Sequence, residues 1–157
     1  NEVDEKTIVA NVGDTHIYLI DNEKIQLVSH DHSEVAELKR HGVLSEVEAQ
    51  DYARKNILTM SLAAHRPPEK VQPYVAQVPF PKGSLVLLCS DGLWGSVQDN
   101  LIRLVALEYQ PQEAVEKLVE FANAAGGPDN ISVLIARRKG EWEEYRKKFS
   151  TSLDDTL

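Results

Sequence analysis

Three observations predict an α+β fold. Leu85-Val86-Leu87-Leu88-Cys89 is an unbroken apolar run between turn residues, too short to span a membrane, and reads as a strand buried on both faces. Residues 7–12 and His16–Ile20 are apolar, β-branched runs that read as further strands. Val115, Leu118, Val119 and Ala122 recur at helical spacing, so that stretch lays one stripe on a sheet. With 157 residues and 42% hydrophobic content the chain can bury a real core, and its length favours one domain.

Taken in order, residues 7–12 form a strand that breaks at Gly13-Asp14. His16–Ile20 follows, and the polar turn Asp21-Asn22-Glu23-Lys24 folds it back on residues 25–28 as a hairpin. After His30-Asp31-His32-Ser33, Glu34–Arg40 is a short helix with Asp31 or Ser33 as N-cap and Gly42 as its stop. Ser45-Glu46-Val47-Glu48 fits a capping box and opens a second short helix reaching about Lys55. Both helices have few apolar positions and are expected to form a surface excursion. His65-Arg66-Pro67-Pro68 interrupts regular structure, and residues 71–78 read as an edge strand because Pro73 cannot donate to a ladder. Pro79, Pro81 and Gly83 then turn the chain into the central strand.

Ser96-Val97-Gln98-Asp99 resembles another N-cap, with Leu101, Leu104, Val105 and Glu108 marking one helical face. Pro111 starts the next helix and Gly126-Gly127 ends it. Residues 131–136 form the last strand, and Arg137-Arg138-Lys139 is read as its solvated end. A domain over residues 1–139 is therefore expected, followed over 140–157 by a charged helix and a frayed tail. In that helix Trp142, Tyr145 and Phe149 sit at helical spacing.

The 25 acidic against 17 basic side chains, a net charge of -8, argue against nucleic acid or an anionic membrane as the main partner. The single cysteine, Cys89, lies in the buried strand as small core filler, which favours a reducing, cytoplasmic setting. No stretch approaches the ~20 apolar residues of a spanning helix. The first residues, Asn1-Glu2-Val3-Asp4-Glu5, have neither the basic start nor the apolar core of a signal peptide, and the sequence does not begin with Met.

The chemistry concentrates at strand ends. The central strand stops abruptly at Ser90-Asp91-Gly92, and a carboxylate there costs free energy unless a turn amide, a basic side chain or a metal ion compensates its charge. One Asp-Gly pair is most simply a turn. Here the pattern repeats: Asp129-Asn130 precedes the last strand after a Gly126-Gly127-Pro128 turn, and Gly13-Asp14 interrupts the first apolar run. Three aspartates at three strand ends are placed to converge on one cation. Mg²⁺ and Mn²⁺ prefer such carboxylate oxygens, and no Cys or His cluster of zinc spacing competes. His30 and His32 flank Asp31 without a third soft ligand nearby, while His41 and His65 read as solvated loop residues. Trp94 reads as core rather than as a substrate platform.

Read in order, Ala10-Asn11-Val12-Gly13-Asp14-Thr15, Asp31-His32, Leu44-Ser45, Leu58-Thr59-Met60-Ser61-Leu62, Leu87-Leu88-Cys89-Ser90-Asp91-Gly92-Leu93-Trp94 and Gly127-Pro128-Asp129-Asn130-Ile131-Ser132-Val133 resemble the metal-dependent protein phosphatases of type 2C, bacterial members above all. The resemblance runs up to about Arg138. It implies a four-layer αββα sandwich, two mainly antiparallel sheets flanked by helices, that hydrolyses phosphoserine and phosphothreonine in proteins with two or three Mn²⁺ or Mg²⁺ ions. It implies Asp91 and Asp129 as ligands of the central metals, Asp14 as the acid of a third, weaker site, and Asn130 as the neighbour that orients Asp129. It further implies a flap over about residues 37–60 that borders the active site, and a structural role for the Asp31-His32 pair. Two hard cations about 3.5–4 Å apart can activate a shared water for in-line attack, so no protein nucleophile is required.

The sequence departs from that family in one large respect. A glutamate and an Asp-Gly-x-Gly-Gly segment, which supply the carboxylate bridging both metals, and a nearby phosphate-binding arginine are not found; Asp91-Gly92 and Gly126-Gly127 are the only pairs of their kind. The sequence is thus expected to represent the C-terminal part of a phosphatase domain, its remaining ligands supplied by a missing N-terminal portion or by a second chain. The rival expectation is a non-catalytic module binding a phosphoprotein or a signalling partner. His16 and Met60 stand where arginine is common, Ala63 where glycine is common, and Gly95 where an Asp or Asn often supports a metal-bound water.

Overall fold

Two antiparallel sheets lie face to face, and helices cover the outer side of the larger one. The computed structural model describes residues 6–64 and 67–137. Strands β1 (Lys6–Asn11) and β4 (Tyr74–Pro79) form a two-stranded sheet. Strands β2 (His16–Ile20), β3 (Ile25–Leu27), β5 (Leu85–Cys89) and β6 (Val133–Arg137) form a four-stranded one in the order β3-β2-β5-β6. Consecutive strands therefore change sheets three times, between β1 and β2, between β3 and β4, and between β4 and β5. The first crossing turns at Gly13, whose φ of +100° an L side chain rarely adopts.

Both central strands are buried on two faces, as their unbroken apolar sequence predicts. Tyr18, Ile20, Leu85, Leu87 and Cys89 face the helices, while Ile17, Leu19 and Val86 meet Val9, Ala76 and Val78 of the smaller sheet. Burial pushes the Cys89 thiol up to about 12, with the Asp99 charge adding to it, so this side chain acts as inert filler. Ile8 and Val75, on the outer face of the smaller sheet, are exposed. Small sheet, large sheet and helices thus make three successive layers among the described residues.

The helical layer is built by α3 (Asp91–Trp94), α4 (Asp99–Glu108) and α5 (Pro111–Ala124). In α5 the innermost stripe is Ala114, Leu118 and Ala122, flanked by half-buried Val115 and Val119. The face expected for α4 is displaced by one residue. Ile102, Val105 and Ala106 are buried, whereas Leu101 and Leu104 are exposed, because the small Ala106 lets the helix close on the sheet with Ile102 as the anchor.

Helix α1 (Glu34–Arg40) has Ser33 as its N-cap, the hydroxyl accepting from the Ala36 N–H. The capping box at Ser45 and Glu48 opens α2, which covers Glu46–Gln50 instead of reaching Lys55. It ends early because the following residues turn back toward α1. Tyr52 Oη donates to Glu34 at 2.7 Å, and Arg54 pairs with the same carboxylate at 2.8 Å. Strand β4 starts at Tyr74, after Pro73, rather than at residue 71. Strand β6 starts at Val133 rather than at 131, since the preceding residues are held by the turn after β5. His65, Arg66, Arg138, Lys139 and the expected helix and tail beyond them lie outside the described residues. Among those described, no helix is long and apolar enough to cross a membrane.

Candidate metal centre

The sheet register brings the three aspartates to one end of the molecule. His16 pairs with Cys89, and Cys89 with Val133, so these residues form the last rung across β2, β5 and β6. Asp14 lies two residues outside that rung on one strand, Asp91 two residues outside on the next, and Asp129 four residues outside on the third.

Asp91 and Asp129 are brought together by a glycine and a serine. Asp91 opens the single turn of α3, its Oδ1 accepting the Gly92 N–H at 2.9 Å. A Cβ on Gly92 would lie 2.4 Å from the Asn130 carbonyl oxygen and 3.2 Å from that of Asp129, so the two backbones touch only because that position carries no side chain. Ser90 fixes the approach from the other side. Its hydroxyl donates to the Asn130 carbonyl at 3.0 Å and accepts the Ser132 N–H at 2.9 Å, while its own N–H donates to Ser132 O at 3.1 Å. The Asn130 N–H donates to Asp129 Oδ1 at 2.7 Å. Each of these two carboxylates thus gives one oxygen to the next backbone amide, and its Oδ2 stays outside that bond.

Asp14 joins them through Trp94. The indole Nε1–H donates to the Asp14 carbonyl oxygen at 3.1 Å, and its ring stacks on His16 with centroids 4.2 Å apart and planes 10° from parallel. His16 is buried with both ring nitrogens engaged: Nε2 lies 3.1 Å from Asp31 Oδ2 and Nδ1 2.9 Å from the Tyr18 hydroxyl. That hydroxyl donates to Asp99 Oδ1 at 3.0 Å. Burial, reinforced by Asp99, holds the Tyr18 phenol far above its ordinary value, so it remains a neutral donor.

The electrostatics are those of a site short of positive charge. Burial raises the Asp14 carboxyl above its usual 3.8, and the Asp91 and Asp31 charges add to the effect, against a lowering by its own backbone and by His16. Asp31 Oδ1 is a buried acceptor with no hydrogen-bond partner among the described residues. Hard oxygen donors that repel one another suit a divalent cation. The ligand set is partial, however: among the described residues no three His, Cys, Asp or Glu side chains come close enough together to hold a metal ion.

This strain gives a signed prediction. The folded chain binds the Asp14 proton more tightly than the unfolded chain does, so Asp14 costs stability once pH rises above the ordinary carboxylate value. Without added metal, the Asp14→Asn chain is expected to melt higher than the wild type at pH 7. The gain should shrink as pH falls and vanish below 3.8, where both states are protonated. Thermal scans at pH 7 and pH 3.5 decide it; a variant that melts lower at pH 7 contradicts the reading of Asp14 as a half-buried, uncompensated charge.

Several contributors escape sequence reasoning. His16 looks like simple drift from arginine, and Tyr18 and Asp99 look like core and cap. A signal for them exists in Trp94, three residues after Asp91 and so on the same side of a helical turn, and in a histidine opening a fully buried strand. His32 is structural as expected, the Gly13 N–H donating to its Nδ1 at 3.3 Å. His30 stacks on Tyr74, and burial lowers its ring's affinity for a proton. His41 is exposed, its Nδ1 2.8 Å from the Glu37 carbonyl oxygen. Gly95 caps α3, its N–H donating to Asp91 O at 2.8 Å. Arg137 turns its guanidinium to the Ala106 carbonyl instead of standing free at the strand end.

No family model matches the sequence. The chain is 36% identical over 134 residues to the serine/threonine phosphatase stp of Listeria innocua, an alignment covering 85% of this chain and 52% of that protein. It is similar to the solved serine/threonine phosphatase of S. agalactiae, with a TM-score of 0.77, 32% identity, and coverage of 87% of this chain and 56% of that one. It also resembles the catalytic domain of the phosphatase PstP in complex with two manganese ions, at a TM-score of 0.70 and 26% identity over 85% of this chain and 54% of the other. The chain spans about half the length of the curated relatives it matches.

Proposed function

The chain belongs to the metal-dependent protein serine/threonine phosphatases of type 2C, bacterial in style, and on that premise we propose that it takes part in hydrolysing phosphoserine and phosphothreonine in proteins. One observation carries the reading: three aspartates from separate strand ends reach one end of the larger sheet, where Gly92 lets the turn that follows Asp91 pack directly on the Asp129-Asn130 backbone.

Asp91 and Asp129 would hold Mn²⁺ or Mg²⁺ through their carboxylate oxygens, with Asp14 serving a further ion beside Asp91. When bound, such ions supply Lewis acidity, which activates a water as nucleophile and neutralises phosphoryl charge. The chain's own residues do the positioning. Asn130 orients Asp129 by its N–H, the Gly92 N–H does the same for Asp91, and Ser90 sets the spacing between the two turns. The ligands still needed for a complete cluster would come from outside the described residues, from the N-terminal portion of the same domain. The exposed α1–α2 excursion, anchored at its root by the Thr59 N–H on His32 O at 2.8 Å, would serve as the flap that admits the phosphoprotein. We place this activity in the cytoplasm, a setting that the single buried thiol suits.

The partial ligand set among the described residues favours a second reading, a phosphatase-like module that binds a phosphoprotein without hydrolysing it. Hydrolysis of a phosphothreonine peptide, followed as Mn²⁺ is titrated with an Asp91→Asn chain alongside, separates the two. With the N-terminal portion supplied, phosphate release that rises with Mn²⁺ and falls to background in the variant is the expected result. If none appears even after the N-terminal portion is supplied, while the peptide still binds, the non-catalytic reading holds.

A further inference from the structure

Four segments meet around the His16, Tyr18 and Trp94 side chains: the Asp14 turn, the α3 turn that carries Asp91, the Asp31 loop at the root of α1, and the first turn of α4 at Asp99. Asp14 and Asp91 come from different elements, and the contacts that bind the Asp14 turn mostly tie it elsewhere. His32 N–H donates to Gly13 O at 2.9 Å, and Asn11 Nδ2 donates to the same oxygen at 3.4 Å; both lead toward the Asp31 side. Asp14 is joined to the helix of Asp91 by the indole N–H of Trp94, which donates to the Asp14 carbonyl oxygen. Its direction depends on the plane of the indole, and that plane lies against the His16 ring.

The His16 ring is in turn fixed at both nitrogens. A filler would need no polar atoms: an apolar ring would stack on Trp94 equally well, and burying two ring nitrogens costs free energy unless both find partners. What the two bonds add is a locked rotation of the imidazole. A locked plate beneath the indole fixes where its N–H points.

We propose that His16 is a positioning residue of the cation site: stacked on Trp94 and anchored to Asp31 and Tyr18, it fixes Asp14 relative to Asp91 so that the two carboxylates receive one divalent cation together. The inference rests on the metal reading above. It makes the His16, Trp94 and Tyr18 side chains part of the site's support, and it couples the site to the root of the flap through Asp31.

The test is Mn²⁺ binding to the whole 157-residue chain, read from the electron paramagnetic resonance signal of the free ion. The proteins compared are the wild type, Asp14→Asn, His16→Ala, the double variant and His16→Arg. Asp14→Asn and His16→Ala are each expected to weaken the same site by about tenfold, the range found when the partner of a metal ligand is removed. The double variant should bind no more weakly than Asp14→Asn alone, since both changes remove one contribution. His16→Arg should bind within about twofold of the wild type, because a planar guanidinium stacks on indole and donates to both Asp31 and the Tyr18 oxygen. If His16→Ala fails to fold, Trp94→Phe carries the test: it keeps an aromatic plate but loses the N–H, and the same weakening is expected.

The proposal is overturned if His16→Ala, or Trp94→Phe in its place, binds Mn²⁺ as tightly as the wild type. It is equally overturned if its effect adds in full to that of Asp14→Asn, or if the Arg variant binds as weakly as the Ala variant. A wild-type chain that binds no Mn²⁺ even with the N-terminal portion supplied overturns the metal reading and this inference with it, whereas wild-type binding indifferent to His16 sinks the inference alone.

Discussion

Gly92→Ala is expected to cut the proposed Mn²⁺-dependent hydrolysis about a hundredfold while leaving most of the fold in place. The added Cβ would sit 2.4 Å from the Asn130 carbonyl oxygen, 2.9 Å from its carbon and 3.2 Å from Asp129 O. All three are backbone atoms, which cannot swing aside as the end of a flexible side chain would. Either α3 or the Asp129-Asn130 loop has to retreat, and Ser90, bonded to both sides, resists the retreat. A displacement near 1 Å between the two carboxylates is enough to cost roughly a hundredfold in rate. Overpacking of this kind costs about 1–3 kcal/mol of stability. Phosphopeptide turnover and thermal unfolding of the same preparation measure both effects. Gly13→Ala is the matched control, because open space surrounds its Cβ and only the φ of +100° penalises it. It should lose stability, about 1 kcal/mol, with activity less affected. Gly92→Ala turnover equal to the wild type would mean that Asp91 and Asp129 do not act together.

The sequence was legible where one local rule settled the outcome. His16–Ile20, Glu34–Arg40 and Leu85–Cys89 carry their boundaries in plain view: a strand between turns, a helix between a Ser cap and a Gly stop, an apolar run ended by Ser-Asp-Gly. It was less legible where tertiary contacts decided. Helix α4 offers two overlapping apolar faces, and only the fit of Ala106 against the sheet selects Ile102 over Leu101 and Leu104. Helix α2 stops early because Tyr52 and Arg54 find Glu34, a partner on another helix. At the site, three strand-end aspartates could be counted in advance because strand ends are marked by turns. The brace behind them could not. Tyr18 and Asp99 are 81 residues apart along the chain, and each of these residues has an ordinary explanation by itself.

Leu87→Ala should be the most destabilising truncation in the larger sheet, and its comparison with Val86→Ala shows which side of β5 holds the domain together. Leu87 has no exposed surface; it is paired with Tyr18 and Ile135 and belongs to the core cluster between the larger sheet and the helical layer. Removing its isobutyl group leaves a cavity that these packed neighbours cannot fill, at a cost of about 3–4 kcal/mol. Val86 points the opposite way, between the sheets, and is 9% exposed. Its truncation removes two methyl groups at a site nearer to solvent, for about 1–2 kcal/mol. Against a total of about 5–15 kcal/mol for an ordinary domain, the first loss is a large fraction and the second is tolerable. Urea unfolding of both variants measures the difference, and the reverse ranking would make the inter-sheet layer the principal core. The consequence for function follows from chain order. Leu87 lies four residues before Asp91, so loosening β5 against the helices also loosens the strand end from which the carboxylate projects. Leu87→Ala should therefore weaken Mn²⁺ binding well below its unfolding midpoint, and Val86→Ala should leave it unchanged.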